Sequence, residues 1–158
     1  MDNPNFFLKL DDIKGESKVY NDYIDVSTWR WGVSNEGSFH SGGGAGVGTA
    51  RFDNMSIDKV LDSASPILMK YCSTGDHFTT GILECWKMGG TPIKYYEITL
   101  TNVLITGYSN NGYTGQVPSE QILLNFQEFK CEYREQKDDG TASAGVTFNW
   151  DISKNKSS

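Results

Sequence analysis

The run Phe78-Thr79-Thr80-Gly81-Ile82-Leu83-Glu84-Cys85-Trp86-Lys87-Met88-Gly89-Gly90-Thr91-Pro92-Ile93 decides the fold. Phe78, Thr80, Ile82, Glu84, Trp86 and Met88 alternate with Gly81, Leu83 and Cys85, a period of two that belongs to a strand. Met88-Gly89-Gly90-Thr91 then reads as a tight hairpin turn, because glycine accepts the left-handed backbone such turns require. The chain returns as a long strand from Ile93 to Thr106. Tyr96, Ile98, Leu100 and Leu104 fall on one of its faces and Tyr95, Glu97, Thr99, Val103 and Ile105 on the other, so both faces are partly covered.

Working outward, Phe6-Phe7-Leu8-Lys9-Leu10 is a short strand with Phe6, Leu8 and Leu10 on one face before Asp11-Asp12 turns the chain. Tyr23 to Val33 is extended, but its apolar phase changes from Ile24 and Val26 to Trp29, Trp31 and Val33. Such a change marks a bulge or a strand passing between two surfaces. Ala50 to Asp58 resumes the extended pattern. Ile122, Leu124 and Phe126 share one phase and Phe129, Cys131 and Tyr133 the other, which predicts a bulge at Gln127-Glu128. Asp138-Asp139-Gly140 turns the chain into Val146-Phe148-Trp150-Ile152. The one helix signal is Ser65 to Gly75, with Ser65 as N-cap, Pro66 at the first helical position, Gly75 as the left-handed stop, and Ile67, Leu68, Tyr71 and Cys72 facing a sheet. Long kinked antiparallel strands with one short helix predict a mainly β fold, a β-barrel or closed sandwich. The expectation is a single domain over residues 1–158, with 153–158 frayed.

At 158 residues the chain can bury roughly two-thirds of its unfolded surface without staples. Fourteen Lys and Arg against 20 Asp and Glu leave a net charge of −6, which argues against nucleic acid and anionic membranes as partners. Cys72, Cys85 and Cys131 are odd in number and widely spaced, so buried, reduced thiols are expected rather than a disulfide framework or a zinc site. The N-terminal Met1-Asp2-Asn3-Pro4-Asn5 lacks the basic start of a signal peptide, and no apolar run reaches a membrane span. The expected course is synthesis in the cytoplasm, and if the chain leaves the cell, a route that cleaves no leader.

Between two extended segments lies Gly37-Ser38-Phe39-His40-Ser41-Gly42-Gly43-Gly44-Ala45-Gly46-Val47-Gly48, with six of the 17 glycines. A hairpin needs only two to five linking residues. Phosphate binding would require a glycine pattern opening a helix, and here Ala50-Arg51-Phe52-Asp53 opens a strand. His40 and His77 stand at no metal-ligand spacing, and no nucleophile elbow is present, so no catalytic, metal or cofactor residue is assigned. Glu84, Glu97 and Glu128 offer carboxylates for a small hydrolase, with a solvated strand face as the plainer reading. Trp29, Trp31, Tyr95, Tyr96, Tyr108 and Tyr113 offer the aromatics of a secreted carbohydrate-binding sandwich, though the strand tryptophans suit a core.

Collinear stretches then identify a family. They are Phe6-Phe7-Leu8-Lys9-Leu10, Ile13-Lys14-Gly15-Glu16-Ser17, Tyr23-Ile24-Asp25-Val26, Trp29-Arg30-Trp31-Gly32-Val33-Ser34, Gly42-Gly43-Gly44-Ala45-Gly46, Ser65-Pro66, Gly89-Gly90-Thr91-Pro92, Ile98-Thr99-Leu100, Leu124-Asn125-Phe126, Asp139-Gly140 and Val146-Thr147-Phe148-Asn149-Trp150-Asp151-Ile152. In this order the chain resembles the haemolysin-coregulated protein (Hcp) family over essentially its whole length. The resemblance implies a tube protein of the type VI secretion system, built as a closed antiparallel β-barrel of two sheets with one short flanking α-helix. Six copies would close into a ring, and rings would stack into a hollow tube inside a contractile sheath, with a spike protein at the tip and effector proteins in the lumen. Ser38, Phe39, His40, Gly42, Gly43, Gly44, Gly46 and Val47 would then form an arm that packs on the next ring.

Overall fold

The structure is a computed structural model that describes residues 5–11, 13–37, 39 and 48–158. Along these run β1 (Phe6–Leu10), β2 (Ile24–Val26), β3 (Thr28–Arg30), β4 (Val33–Asn35), β5 (Ala50–Phe52), β6 (Met55–Val60), α1 (Ser65–Thr74), β7 (His77–Lys87), β8 (Ile93–Asn111), β9 (Ser119–Tyr133) and β10 (Val146–Asp151). Eight strands form one antiparallel sheet in the order β2-β1-β7-β8-β9-β6-β3, with β10 beside the second half of β9. β4 and β5 form a separate two-stranded sheet.

β2 and β3 stand at opposite ends of that order, yet Ser27 alone separates them in the chain. Val26 lies opposite Phe6 of β1, and one residue later Ser27 donates its N–H to the Asp58 carbonyl of β6 at 2.8 Å. The two ends of the sheet are thus one continuous chain, and the sheet closes on itself as a barrel. This hand-over is the physical reason for the phase change between Val26 and Trp29. Leu8, Leu10, Ile24, Ile57, Leu83, Ile98 and Leu124 fill the interior, all fully buried. Phe7, on the opposite face of β1 from Phe6 and Leu8, is buried as well, because Tyr20 and Tyr23 pack edge-on against its ring.

The three longest strands bend together. Phe78 and Gly81 of β7, Leu100 and Val103 of β8, and Phe126 and Phe129 of β9 are all buried, while the two residues between each pair are not. These pairs face one another across the sheet: Phe78 opposite Val103 opposite Phe126, and Gly81 opposite Leu100 opposite Phe129. The phase change sits where it is expected in β9, but it is not a bulge. Register holds through it, with Thr101 opposite Glu128 and Val103 opposite Phe126, while the slip in the β8–β9 ladder lies between Ile105 and Gly107. Asn102, at φ 52°, turns the pleat over. Asparagine is among the few residues that tolerate this left-handed region. Leu104 therefore faces outward, against expectation, and Val103 and Ile105 take the core side. On β7 the Asp11 carboxylate, in the turn after β1, accepts the amides of Thr79 and Thr80 at 2.8 and 2.9 Å. The bend is thus satisfied by a side chain from a neighbouring strand's end.

α1 packs on β8 and stops at Gly75, whose φ of 75° and N–H bond to the Tyr71 carbonyl make the expected left-handed cap. Its start differs from expectation. Ala64 is the N-cap residue, and Asp62 takes the Ala64 amide at 2.9 Å. Ser65 turns inward and donates to Glu120 Oε1 at 2.9 Å. It joins a buried network in which Lys59 Nζ pairs with Glu120 and Asp62 and donates to the Val60 carbonyl, while the Tyr108 hydroxyl donates to Glu120 Oε2 at 2.6 Å. Leu68 is buried, Tyr71 stacks on Phe78 at 4.3 Å, and Ile67 is exposed rather than docked.

Near the C-terminus Asp151 and Lys156 exchange backbone hydrogen bonds at 2.8 and 3.2 Å, folding the chain back on β10. One further expectation is corrected. All three cysteines are free, but only Cys85 is buried, and Cys72 and Cys131 are half-exposed at strand or helix surfaces. Burial pushes the Cys85 thiol up to about 11.

Replacing Asp11 with Ala strands two amides at the bend, and urea unfolding should show a loss of about 1–3 kcal/mol. Asp11→Asn, which keeps one acceptor, should lose less. Lys59→Met alone leaves Glu120 buried without its counter-charge and should cost about 3–5 kcal/mol, whereas Lys59→Met with Glu120→Leu should recover much of that loss. A double variant as unstable as the sum of the singles would contradict the assignment of a coupled pair.

Candidate functional site

The glycine-rich segment springs from the two-stranded sheet. Val33 pairs with Phe52, Ser34 with Arg51 and Asn35 with Ala50, so β4 and β5 form a hairpin whose far end carries the segment. Its root is fastened to the barrel by aromatic contact. Trp31 stacks on Phe52 at 6.0 Å and meets Phe129 edge-on at 4.7 Å, and its indole N–H donates to the Asp53 carbonyl at 2.9 Å. Asp53 N–H returns a bond to the Gly32 carbonyl at 3.0 Å. Higher up, Asn35 Nδ2 donates to the Gly48 carbonyl at 2.9 Å, and a Cβ at Gly48 would meet the Glu36 carbonyl at 2.7 Å. Glycine at 48 is therefore required by close approach at the neck of the hairpin. Of the expected arm residues, Phe39 is described and is 87% exposed. Ser38, His40, Gly42, Gly43, Gly44, Gly46 and Val47 lie outside the described residues.

Other exposed apolar side chains include Ile67 and Met69 on α1 and two groups at strand ends and edges. Val146 and Phe148 project from β10 with Tyr133 beside them on β9, and Tyr113 and Val117 project from the β8–β9 loop. Single exposed apolar groups mean little, but grouped on a strand that borders the sheet they mark places where another chain can sit. Sequence periodicity placed Val146 and Phe148 on one face without revealing that the face is uncovered.

The carboxylates and aromatics that the sequence offers lie in several separate places. Glu84 is buried and accepts from the Trp86 indole at 2.9 Å and the Tyr23 hydroxyl at 3.2 Å. Burial, with Glu84 alongside, raises the Tyr23 hydroxyl above its usual range. Glu97, opposite Glu84, shares Lys94 with it. Glu128 lies two strands from Glu84 and four residues further along, about 16 Å away by sheet spacing, beyond the reach of a glycosidase pair. Among the aromatics, Trp29 stacks on Tyr96 at 6.2 Å inside one end of the barrel, Tyr108 is engaged by Glu120, and Tyr113 stands apart at 71% exposure. They form no common platform. Among the described residues no cluster of His, Cys, Asp and Glu is placed to hold a metal ion, and no helix is long and apolar enough to cross a membrane. His77 is exposed, on the rim of an open groove beside Asn102 and Asn125.

Comparison with known proteins agrees with the fold. The model of the family described as type VI secretion system effector, Hcp, matches residues 7–133. Protein hcp1 of Pseudomonas aeruginosa is 38% identical over 156 residues, covering 96% of each chain. A solved structure of a type six secretion system protein superposes with a TM-score of 0.90 at 29% identity, covering 97% of this chain and 98% of that one. Hcp1 from Salmonella typhimurium superposes with a TM-score of 0.80 at 31% identity, covering 97% of each. A family match across most of the chain, a relative aligned nearly end to end and the shared barrel together place this chain in the Hcp family of the type VI secretion system.

Proposed function

We propose that residues 1–158 act as one structural unit, a tube subunit that closes in six copies into a ring and stacks into a hollow tube. The tube would be expelled by a contractile sheath, with a spike protein at its tip and effectors in its lumen. The observation that carries this reading, beside the family, is the β4–β5 hairpin. It is bonded within itself and anchored by Trp31 and Phe52 at its root, and Phe39, in the segment it carries, is exposed to solvent. An exposed phenylalanine on a projecting hairpin is costly in a monomer and useful at a contact. Ser38, Phe39, His40, Gly42, Gly43, Gly44, Gly46 and Val47 are the residues proposed to reach the next ring, where glycines let two backbones approach closely.

Ring closure and stacking are both heterologous contacts, in which different patches of identical subunits meet. β10 with Val146 and Phe148, and the β8–β9 loop with Tyr113 and Val117, are distinct surfaces available for them. Six subunits of −6 each give a ring near −36, a like-charge repulsion that opposes stacking and that salt screens over about 10 Å at 0.1 M.

Native mass spectrometry with negative-stain imaging should give a six-fold ring with a central hole, and a monomer by both methods would overturn the tube reading. Removal of residues 39–47 should leave that ring intact while abolishing tube formation and export, so normal export by the shortened chain would refute the role of the arm. Sedimentation should show stacking that strengthens as salt is added. Long tubes at low salt that fall apart into rings at high salt would contradict the charge argument.

A further inference from the structure

A groove of about 660 Å³ opens on the outer surface of the barrel where the long strands bend, within the size range of small-ligand sites. No part of the tube reading uses it. Its polar side is built from two directed hydrogen-bond relays. In the first, Asn102 Nδ2 donates to Gln127 Oε1 at 2.8 Å, Gln127 Nε2 donates to Ser153 Oγ at 3.4 Å, and the Ser153 hydroxyl donates to the Asp151 carboxylate at 2.6 Å. In the second, Asn125 Nδ2 donates to Asn54 Oδ1 at 3.0 Å, Asn54 Nδ2 to Thr106 Oγ1 at 3.2 Å, and the Thr106 hydroxyl to the Leu123 carbonyl at 3.3 Å. Each relay ends on a group that can only accept, so its direction is fixed.

The consequence is chemical. Each relay fixes its asparagine amide through one N–H, so Asn102 and Asn125 line the groove with an Oδ1 free to accept and a second N–H free to donate. The Asp53 carboxylate, on the same wall, has no hydrogen-bond or ion-pair partner among the described residues and adds two more acceptor oxygens. Phe52, Leu104 and Ile152 supply an apolar floor beside them. Two neutral amides and one carboxylate suit a ligand rich in hydroxyl donors, and the floor suits the C–H face of a pyranose ring. The bend itself makes this arrangement, since the left-handed Asn102 and the reversed pleat put Asn102 and Leu104 on the outer surface.

From these acceptors and this floor we infer that the groove is a saccharide-binding site, with Asp53, Asn102 and Asn125 receiving hydroxyl hydrogens and Phe52 under the ring. The inference does not depend on the tube reading, and it uses none of the aromatics that the sequence offers for sugar binding. Ligand-observed saturation-transfer NMR on the full chain, in the oligomer it forms, tests it with three separate probes: chitotetraose, cellotetraose and a lysine-rich peptide. At least one oligosaccharide should receive saturation at millimolar concentration. Asp53→Ala and Asn125→Ala should each weaken that binding about tenfold, as expected for loss of one hydrogen bond to a charged or fixed acceptor. Lys137→Ala, exposed in the connection between β9 and β10 and outside the groove lining, should leave it unchanged. Asp53→Ala removes no bond of the described fold, so it remains informative if Asn125→Ala is unstable. No transfer to either oligosaccharide, transfer undiminished in Asp53→Ala, or transfer to the peptide alone would each overturn the assignment.

Discussion

Closure of the sheet through Ser27 is the constraint on which the rest of the molecule depends. A sheet whose first and last strands are consecutive in the chain must curl until its ends meet, and strands of 15 and 19 residues cannot do so while straight. The bend is concentrated in one row that crosses β7, β8 and β9, with Asn102 supplying the left-handed residue and Asp11 accepting the amides on β7. Keeping register through the row lets the ladder survive on both sides of it. The same row reverses which side chains look outward, so the barrel's curvature and the composition of its outer groove have one origin.

The buried Lys59–Glu120 pair answers a different need. α1 has ten residues, too few for a helix to persist on its own in water. Leu68 and Tyr71 give it apolar contact, and the network of Lys59, Glu120, Ser65 and Tyr108 fixes where its first turn sits. A buried charge pair adds little net stability, but a misplaced helix would leave both charges unpaired, and that penalises alternatives strongly. The side chains that normally suggest catalysis are spent in this way: Glu120 on the helix, Glu84 on Tyr23 and Trp86.

What distinguishes the surface is the separation of the β4–β5 hairpin from the barrel. Its root is aromatic and fastened, and its outer part meets solvent. The β4–β5 hairpin and β10 carry exposed apolar side chains, while the groove at the bend is lined by amides whose orientation internal relays set. These surfaces use different residues and serve different chemistry.

Much of this was legible in the residues. The period-two runs determined the long strands, Gly89-Gly90 their hairpin, and Gly75 the end of the helix, because each depends on local backbone preference or on which alternate side chains are apolar. The break between Val26 and Trp29 and the phase change near Gln127 were also visible, as was the family, since both are patterns along the chain. Other features were settled only in three dimensions. Ser65 serves as a network donor rather than a cap because Lys59 and Glu120, far apart in sequence, converge beneath it. The reversal at Asn102 comes without a bulge because three strands bend in concert, and the amides at the groove are oriented because relay partners lie on β8, β9, β10, just before β6 and in the turn after β10. Alternation and turn chemistry are properties of neighbours in the chain, and the sequence by itself determines them. Which face is covered, and which polar atom is left without a partner, depends on neighbours across the sheet, and only tertiary structure decides that.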